Sequence, residues 1–192
     1  IPPRSAYLHI PFCHKRCFYC DFSIIPLGDS AETPGSPGIS SINAYLDLLH
    51  REILIAPKGP ALSTVYLGGG TPSLLNKDEL GNLLESVQKK FGFQDGVEIT
   101  MEVDPSTFLE NDLQGYIEIG INRLSLGGQS FDDSTLDSIG RKHNYSQLID
   151  ACNWINNLFK KGMLRSWSLD LIQNLPGLNL SKWLKELEQA VQ

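Results

Sequence analysis

The sequence has 192 residues, 41% of them apolar and 20% charged, with a formal net charge of −6. That is enough chain for one domain with a substantial core. No apolar run reaches the about 18 residues that a membrane-spanning helix needs, and the acidic balance argues against a nucleic-acid binder that works by neutralising phosphates. Lysine and arginine are scattered, and the pairs Lys15-Arg16, Lys89-Lys90 and Lys160-Lys161 read as solvated surface. The first residue is Ile rather than Met, which predicts a start, a targeting segment or a longer parent upstream, and no cleavable apolar segment is visible in the given residues.

In chain order, a β-branched and apolar run predicts a first strand over Ser5–Ile10, followed by a loop with three cysteines. Residues 26–41, "PLGDSAETPGSPGISS", are rich in Pro, Gly and Ser and read as a flexible surface loop. Helical spacing of Tyr45, Leu46, Leu49, Ile53 and Leu54 predicts a helix over 42–55, and a strand follows at 64–67. The next helix, Lys77–Phe91, opens with a capping-box pair, Asn76 and Glu79, and stops at Gly92. A strand at 97–103 leads to a helix marked by Leu113, Tyr116 and Ile117 that stops at Gly120. Then come a strand at 122–126, a helix at 147–159, a strand at 166–172 and a helix at 181–191. Strand–helix alternation of this kind builds a mostly parallel sheet with right-handed crossovers. A complete eightfold barrel takes about 250 residues, so the expected fold class is α/β, either an open sheet or an incomplete barrel of about five strand–helix units.

The segment "CHKRCFYCDF" places Cys13, Cys17 and Cys20 in one loop, directly after the first strand. In α/β folds the carboxyl ends of strands carry the chemistry. Crowding in one loop argues against disulfides and for a reducing, intracellular setting. Three readings remain: incidental thiols, structural zinc with His9 or His14 as fourth ligand, or an iron–sulfur cluster. Clusters normally take four cysteines, so three would leave one iron open to a small molecule. Phe12, Phe18, Tyr19 and Phe22 could shield a cluster from water. Cys152 lies at helical spacing with Leu148, Ile149 and Ile155 and reads as a small core residue. His9, His14, His50 and His143 are all conceivable ligands, and none is assigned.

Downstream, "VYLGGGTP" runs a strand into Gly69, Gly70 and Thr71, where glycines let backbone approach a ligand and expose N–H groups to it. Glu102 stands near the end of the third strand and Gln129 just past the fourth. Arg141 follows soon after, and Asp170 lies on the fifth. A parallel sheet would gather these groups at one end, which favours the barrel-like arrangement.

The C-x3-C-x2-C spacing after a strand resembles the radical S-adenosylmethionine (radical SAM) enzymes. "YLHIPFC", "GGGTPSLL", "GINRLSLGGQSF", "GRKHN" and "SLDLIQNLPG", spread over residues 7 to 177, are similar to the oxygen-independent coproporphyrinogen III oxidase family, with its HemN-type enzymes and HemW-like relatives. The resemblance implies a partial barrel and a [4Fe–4S] cluster on Cys13, Cys17 and Cys20, with SAM on the open iron. It implies that Gly69, Gly70 and Thr71 hold the amino group of SAM. Tyr7 and Glu102 would contact cluster-bound SAM, Gln129, Arg141 and Asp170 would add further contacts, and Tyr19 would sit beside the cofactor. HemN-type enzymes carry a further cysteine two residues after the third ligand. Phe22 stands there, as in the HemW-like branch, which implies a haem chaperone rather than an oxidase. Implied partners are haem or porphyrin, a haem-accepting protein and an electron donor, in the cytoplasm, a mitochondrion or a plastid.

Two departures stand out: Gly128 replaces a bulkier residue, which is expected to open space near Gln129, and Asn174 replaces a turn glycine. The 26–41 insertion is expected to cover or loosen the site. Relatives are longer, so the chain is expected to be a core domain, 1–192, that ends before the last barrel strand and a C-terminal region completing the haem site. That would leave the last strand's outer edge uncovered.

Overall fold

The structure is a computed structural model and describes residues 3–29, 33 and 35–191. β1 (Ser5–Ile10) leads into a short strand β2 (Phe12–Cys13), which pairs in parallel with β3 (Ile25–Pro26). Helix α1 (Pro37–Ile55) follows, then β4 (Leu62–Gly69), a 3-10 turn (Pro72–Leu74) and α2 (Lys77–Phe91). β5 (Phe93–Val103), α3 (Glu110–Glu118), β6 (Arg123–Gln129), α4 (Asp133–Ser138), α5 (Tyr145–Lys160), β7 (Ser166–Leu171) and α6 (Leu180–Ala190) complete the order.

The main sheet has the order β1-β4-β5-β6-β7, and every pairing is parallel. Each crossover therefore steps to the neighbouring strand in one direction. A doubly wound open sheet would reverse its order at a switch point. This progression decides for the incomplete barrel, with every strand delivering its carboxyl end to the same rim.

Alternation along the strands separates two faces. Leu8, Ile10, Val65, Leu67, Ile99, Met101, Leu124 and Leu126 are at most 4% exposed and form the core with α2, α3 and α5. Residues of opposite parity form a polar face: the register aligns Tyr7 with Tyr66, Thr100 with Arg123, Glu102 with Ser125, and Gly127 with Asp170. The sheet is thus apolar towards its helices and polar towards the barrel interior.

Local signals account for the ends. α2 carries the full capping box, with Asn76 accepting from the Glu79 N–H and Glu79 accepting from the Asn76 N–H. α1 starts earlier than expected, at Pro37. Ser36 caps it by accepting from Ile39 N–H, and Pro37 occupies the first turn, where its missing N–H costs nothing. The end of the 26–41 segment is therefore helix, and residues 30–32 and 34 lie outside the described residues. α4 was not expected; Asp132 caps it through the Thr135 N–H and hydroxyl. Cys152 is half-buried and packs against the core.

α6 turns its apolar stripe outward: Leu180, Leu184, Leu187 and Val191 are exposed, while Glu186 is buried against Ser130. β7 is an edge of the sheet. Among the described residues no helix is long and apolar enough to cross a membrane.

Leu124 sits mid-sheet and is wholly buried. Leu124→Ala should lower unfolding free energy by about 2–5 kcal/mol, the range for cavity-forming substitutions. Urea titration should show a reduced midpoint with an unchanged slope, and an unchanged midpoint would contradict this packing.

Candidate functional site

A cavity of ≈ 480 Å³ opens at the carboxyl rim, between the cysteine loop and the ends of β4 to β7. Cys13, Cys17, Tyr19 and Cys20 form one wall, and Gly69, Gly70 and Thr71 lie beside them. Glu102, Gln129, Arg141 and Asp170 reach it from β5, β6, the turn after α4, and β7. Tyr7 does not line it. It lies lower on the polar face, stacked on Tyr66, and its hydroxyl bonds His9 Nδ1.

The glycine turn is built differently from the sequence expectation. Its N–H groups are already donated: Gly69 to Glu102 Oε2 (3.0 Å), Gly70 to Ile10 O (2.8 Å) and Thr71 to Phe12 O (2.7 Å). They are not exposed to a ligand. Gly70 is required by packing, because a Cβ there would lie 2.6 Å from Phe12 O. Gly69 adopts φ +115° and packs against the His9 ring. A ligand at this turn would meet backbone carbonyls and the Thr71 side chain.

The four cysteines are free thiols. Burial pushes the Cys13 thiol up, and a hydrogen bond from Thr71 Oγ1 (3.3 Å) works against it. Among the described residues no three Cys, His, Asp or Glu side chains converge on a point where one ion would be held. The thiols instead line a wall of a roomy cavity. The expected aromatic shield is only partly there. Phe12 is buried in the main core, Phe18 and Phe22 are 82% and 65% exposed, and only Tyr19 and Phe22 face the cavity. Burial pushes the Tyr19 phenol up to about 12. Phe18 is turned outward because its N–H is tied to Ile139 O and its ring rests on Gly140.

Across the cavity lies a buried polar triad that the sequence reading missed, and Asp104 and Arg141 of it line the cavity. Asp104 pairs with Arg141 (2.8 Å) and lies 3.8 Å from His143. Burial alone would raise the Asp104 carboxyl, but Arg141, His143 and two bonds from Ser106 together hold it below its ordinary value. Burial works against the Arg141 charge, and Asp104 together with Tyr19 and Cys17 outweighs it. Arg141 also donates to Gly127 O (2.7 Å) and Tyr19 Oη (3.4 Å), while its buried Nε has no partner among the described residues. His143 lies against Gly128 O through Nε2 (3.1 Å) and against Arg141 Nη2 through Nδ1 (3.4 Å). That pairing assigns the neutral tautomer with hydrogen on Nε2. The only sequence signal for Asp104 is an Asp-Pro step at a strand end, which reads equally well as a turn.

On β5, just before Asp104, Glu102 accepts from the Tyr66 hydroxyl (2.9 Å) as well as Gly69 N–H, and both fix its carboxylate at the cavity. Asp170 accepts from Ser125 (2.9 Å). Gln129 has φ +66° at a register shift between β6 and β7, a bulge that re-aims its side chain. Gly128 does not open space at Gln129, contrary to expectation. A Cβ on it would meet Leu169 (2.7 Å) and Leu148 (3.1 Å) on the helix side. Asn174 adopts φ +63°, so the turn does require a left-handed residue, and asparagine tolerates that conformation.

The family model of the Radical SAM superfamily matches residues 7–190. The chain belongs to the radical SAM superfamily. This radical SAM domain is 40% identical to the haem chaperone HemW of Synechocystis over 98% of its length and 44% of that protein's. It is 35% identical to the HemW of Escherichia coli, over 100% of its length and 48% of that protein's. A mouse protein, radical S-adenosyl methionine domain-containing protein 1, mitochondrial, is 31% identical over 97% of the chain and 40% of its own. Among solved structures, coproporphyrinogen III oxidase (HemN) from Escherichia coli superposes with a TM-score of 0.84 at 30% identity, covering 98% of this chain and 41% of that one. The chain spans less than half the length of these relatives.

Burial pushes the His143 imidazole down to about 4, with Asp104 pulling the other way. The unfolded chain takes up this proton near pH 6.5, so it binds more protons than the folded chain between these values. Stability should therefore fall as pH drops from about 6.5 to about 4, by about 3 kcal/mol from this group. Urea titrations across that range should show the slope, and His143→Gln, which keeps a donor for Gly128 O, should flatten it. An equal slope in the variant would remove His143 from the account.

Proposed function

We propose that this radical SAM domain binds a [4Fe–4S] cluster through Cys13, Cys17 and Cys20, takes SAM at the iron those thiols leave open, and serves haem transfer as a HemW-like chaperone. The observation that carries the reading is the single cavity bounded by three uncrosslinked thiols on one side and strand-end polar groups on the other. A lone zinc ion fits less well, because among the described residues the thiols do not converge with a fourth ligand. Three sulfurs spread along a wall, with room beside them, fit a bulkier cluster and an organic ligand.

In this reading the carbonyls of the glycine turn accept from the amino group of SAM. Glu102, held by Tyr66 and Gly69, presents a fixed carboxylate to the ligand's cationic part. Arg141 offers its unpartnered Nε to an anionic group, and Asp104 keeps the guanidinium in place. Asp170 and Gln129 orient polar groups further out, and Tyr19 covers the side nearest Cys17. Tyr7 supports this set through His9 and Tyr66 instead of touching the cavity. When bound, the reduced cluster supplies the electron for reductive cleavage of SAM.

The chaperone branch is supported by Phe22 and by HemW relatives at 31–40% identity. An oxidase carrying a further cysteine there would place a thiol at the mouth; here an exposed aromatic ring stands in that place. The high structural likeness to HemN favours a second reading, oxidative decarboxylation of coproporphyrinogen III. Residues 1–192 would form the radical SAM core, and haem binding, its acceptor and an intracellular site are proposals for the whole protein.

Anaerobic reconstitution should give about four iron and four sulfide per chain, and Cys13→Ala, Cys17→Ala or Cys20→Ala should each abolish most of it. One zinc without sulfide would contradict the reading. Haem binding without vinyl-group formation from coproporphyrinogen III and SAM supports the chaperone, while turnover supports the oxidase.

A further inference from the structure

Arg16, which the sequence groups with Lys15 as solvated surface, lies between the first two cysteines and does something more specific. Its Nη1 donates to the carbonyls of Cys20 (3.1 Å) and Phe22 (3.0 Å), and its Nη2 to that of Ile24 (3.1 Å). His9 Nε2 meets the carbonyl of Ser23 at 2.8 Å. Two side chains thus gather four carbonyls of one short segment.

That segment has no ladder of its own. The β2–β3 pairing begins only at Ile25, with Ile25 N–H bonded to Pro11 O and Leu27 N–H to Cys13 O. From Cys20 to Ile24, the one backbone N–H tie among the described residues is Cys20 N–H to Cys17 O, with Phe18 N–H to Ile139 O just before it. A planar guanidinium with several donors can span carbonyls that point inward from an irregular turn, which an ammonium cannot do with the same geometry. Arg16 also lines the cavity, so it brings a fixed positive charge to the thiol wall.

We propose that Arg16 is a positioning residue: it holds Cys20, the third thiol, in ligating place before any cluster arrives, and its charge makes the bound cluster easier to reduce. The first half concerns the metal-free chain. The second rests on the cluster reading above, since a cation near a cluster that gains an electron stabilises the reduced form.

The test has two arms. In metal-free protein, alkylation of each cysteine is followed by peptide-resolved mass spectrometry, with Cys152 as internal reference. R16K, which keeps the charge but lacks the fork, should speed alkylation of Cys20 about tenfold relative to Cys152, as expected when charge-assisted hydrogen bonds to the segment are lost. R16Q also removes a charge that favours the thiolate, so it is compared at a pH where the thiols are ionised, and the same speeding is expected there. In reconstituted protein, the cluster midpoint potential, read by redox titration with electron paramagnetic resonance, should move negative in R16Q and stay near wild type in R16K. Thermal melts verify that each variant is folded, and R16K carries the alkylation arm if R16Q is not. Unchanged Cys20 alkylation in the folded variants, or a wild-type potential in R16Q, would overturn the proposal. A wild-type chain that takes up no cluster would overturn the cluster reading and the charge effect, and the alkylation arm alone would then decide the positioning role.

Discussion

The close approach of two backbone turns sets the geometry of the rim. Gly70 lies so near the Pro11–Phe12 peptide that any Cβ would collide with it. This contact lets Gly70 N–H reach Ile10 O and Thr71 N–H reach Phe12 O, and it brings the Thr71 hydroxyl to Cys13 Sγ. The cysteine loop therefore leaves β1 at an angle that β4 dictates. The return of the loop is tied to the same place, because Gly69 packs on His9 and His9 holds Ser23. A larger residue at Gly70 would push the first cysteine away from the cavity that the other strands serve.

The opposite wall depends on electrostatics. Arg141 is nearly buried, and a buried guanidinium is costly unless paired. Asp104 pairs it, Ser106 satisfies Asp104, and a neutral His143 fills the remaining side. The polar parity of the barrel interior carries the same logic to Glu102 and Asp170, each held by a neighbouring hydroxyl. Preorganised donors and acceptors of this kind cost little to arrange when a ligand arrives. The loop wall and the electrostatic wall meet where Arg141 reaches Tyr19 and Lys142 pairs with Asp29.

Much of this was legible in the sequence, for identifiable reasons. β1 and α2 have the expected bounds because strand composition and a complete capping box act locally. β4 and β6 run further than expected because their last residues include glycines, whose strand character comes from pairing with neighbours. α1 begins inside a segment that reads as loop because Ser and Pro also start helices. The strand-end rule brought together the cavity groups, yet Asp104 escaped because its partner lies in a distant turn. The roles of Gly70, Gly128 and Arg16 depend on what faces them across space: a peptide, two leucines and three carbonyls. No local pattern encodes those neighbours.

The central claim is that the three-thiol wall and the strand-end groups form one site, in which SAM meets a cluster. Electron paramagnetic resonance of the reduced, reconstituted protein with and without SAM tests it most directly. Bound SAM should change the cluster spectrum in the wild type, and Glu102→Gln should require far more SAM for the same change. A reduced cluster whose spectrum is identical with and without saturating SAM would contradict the account.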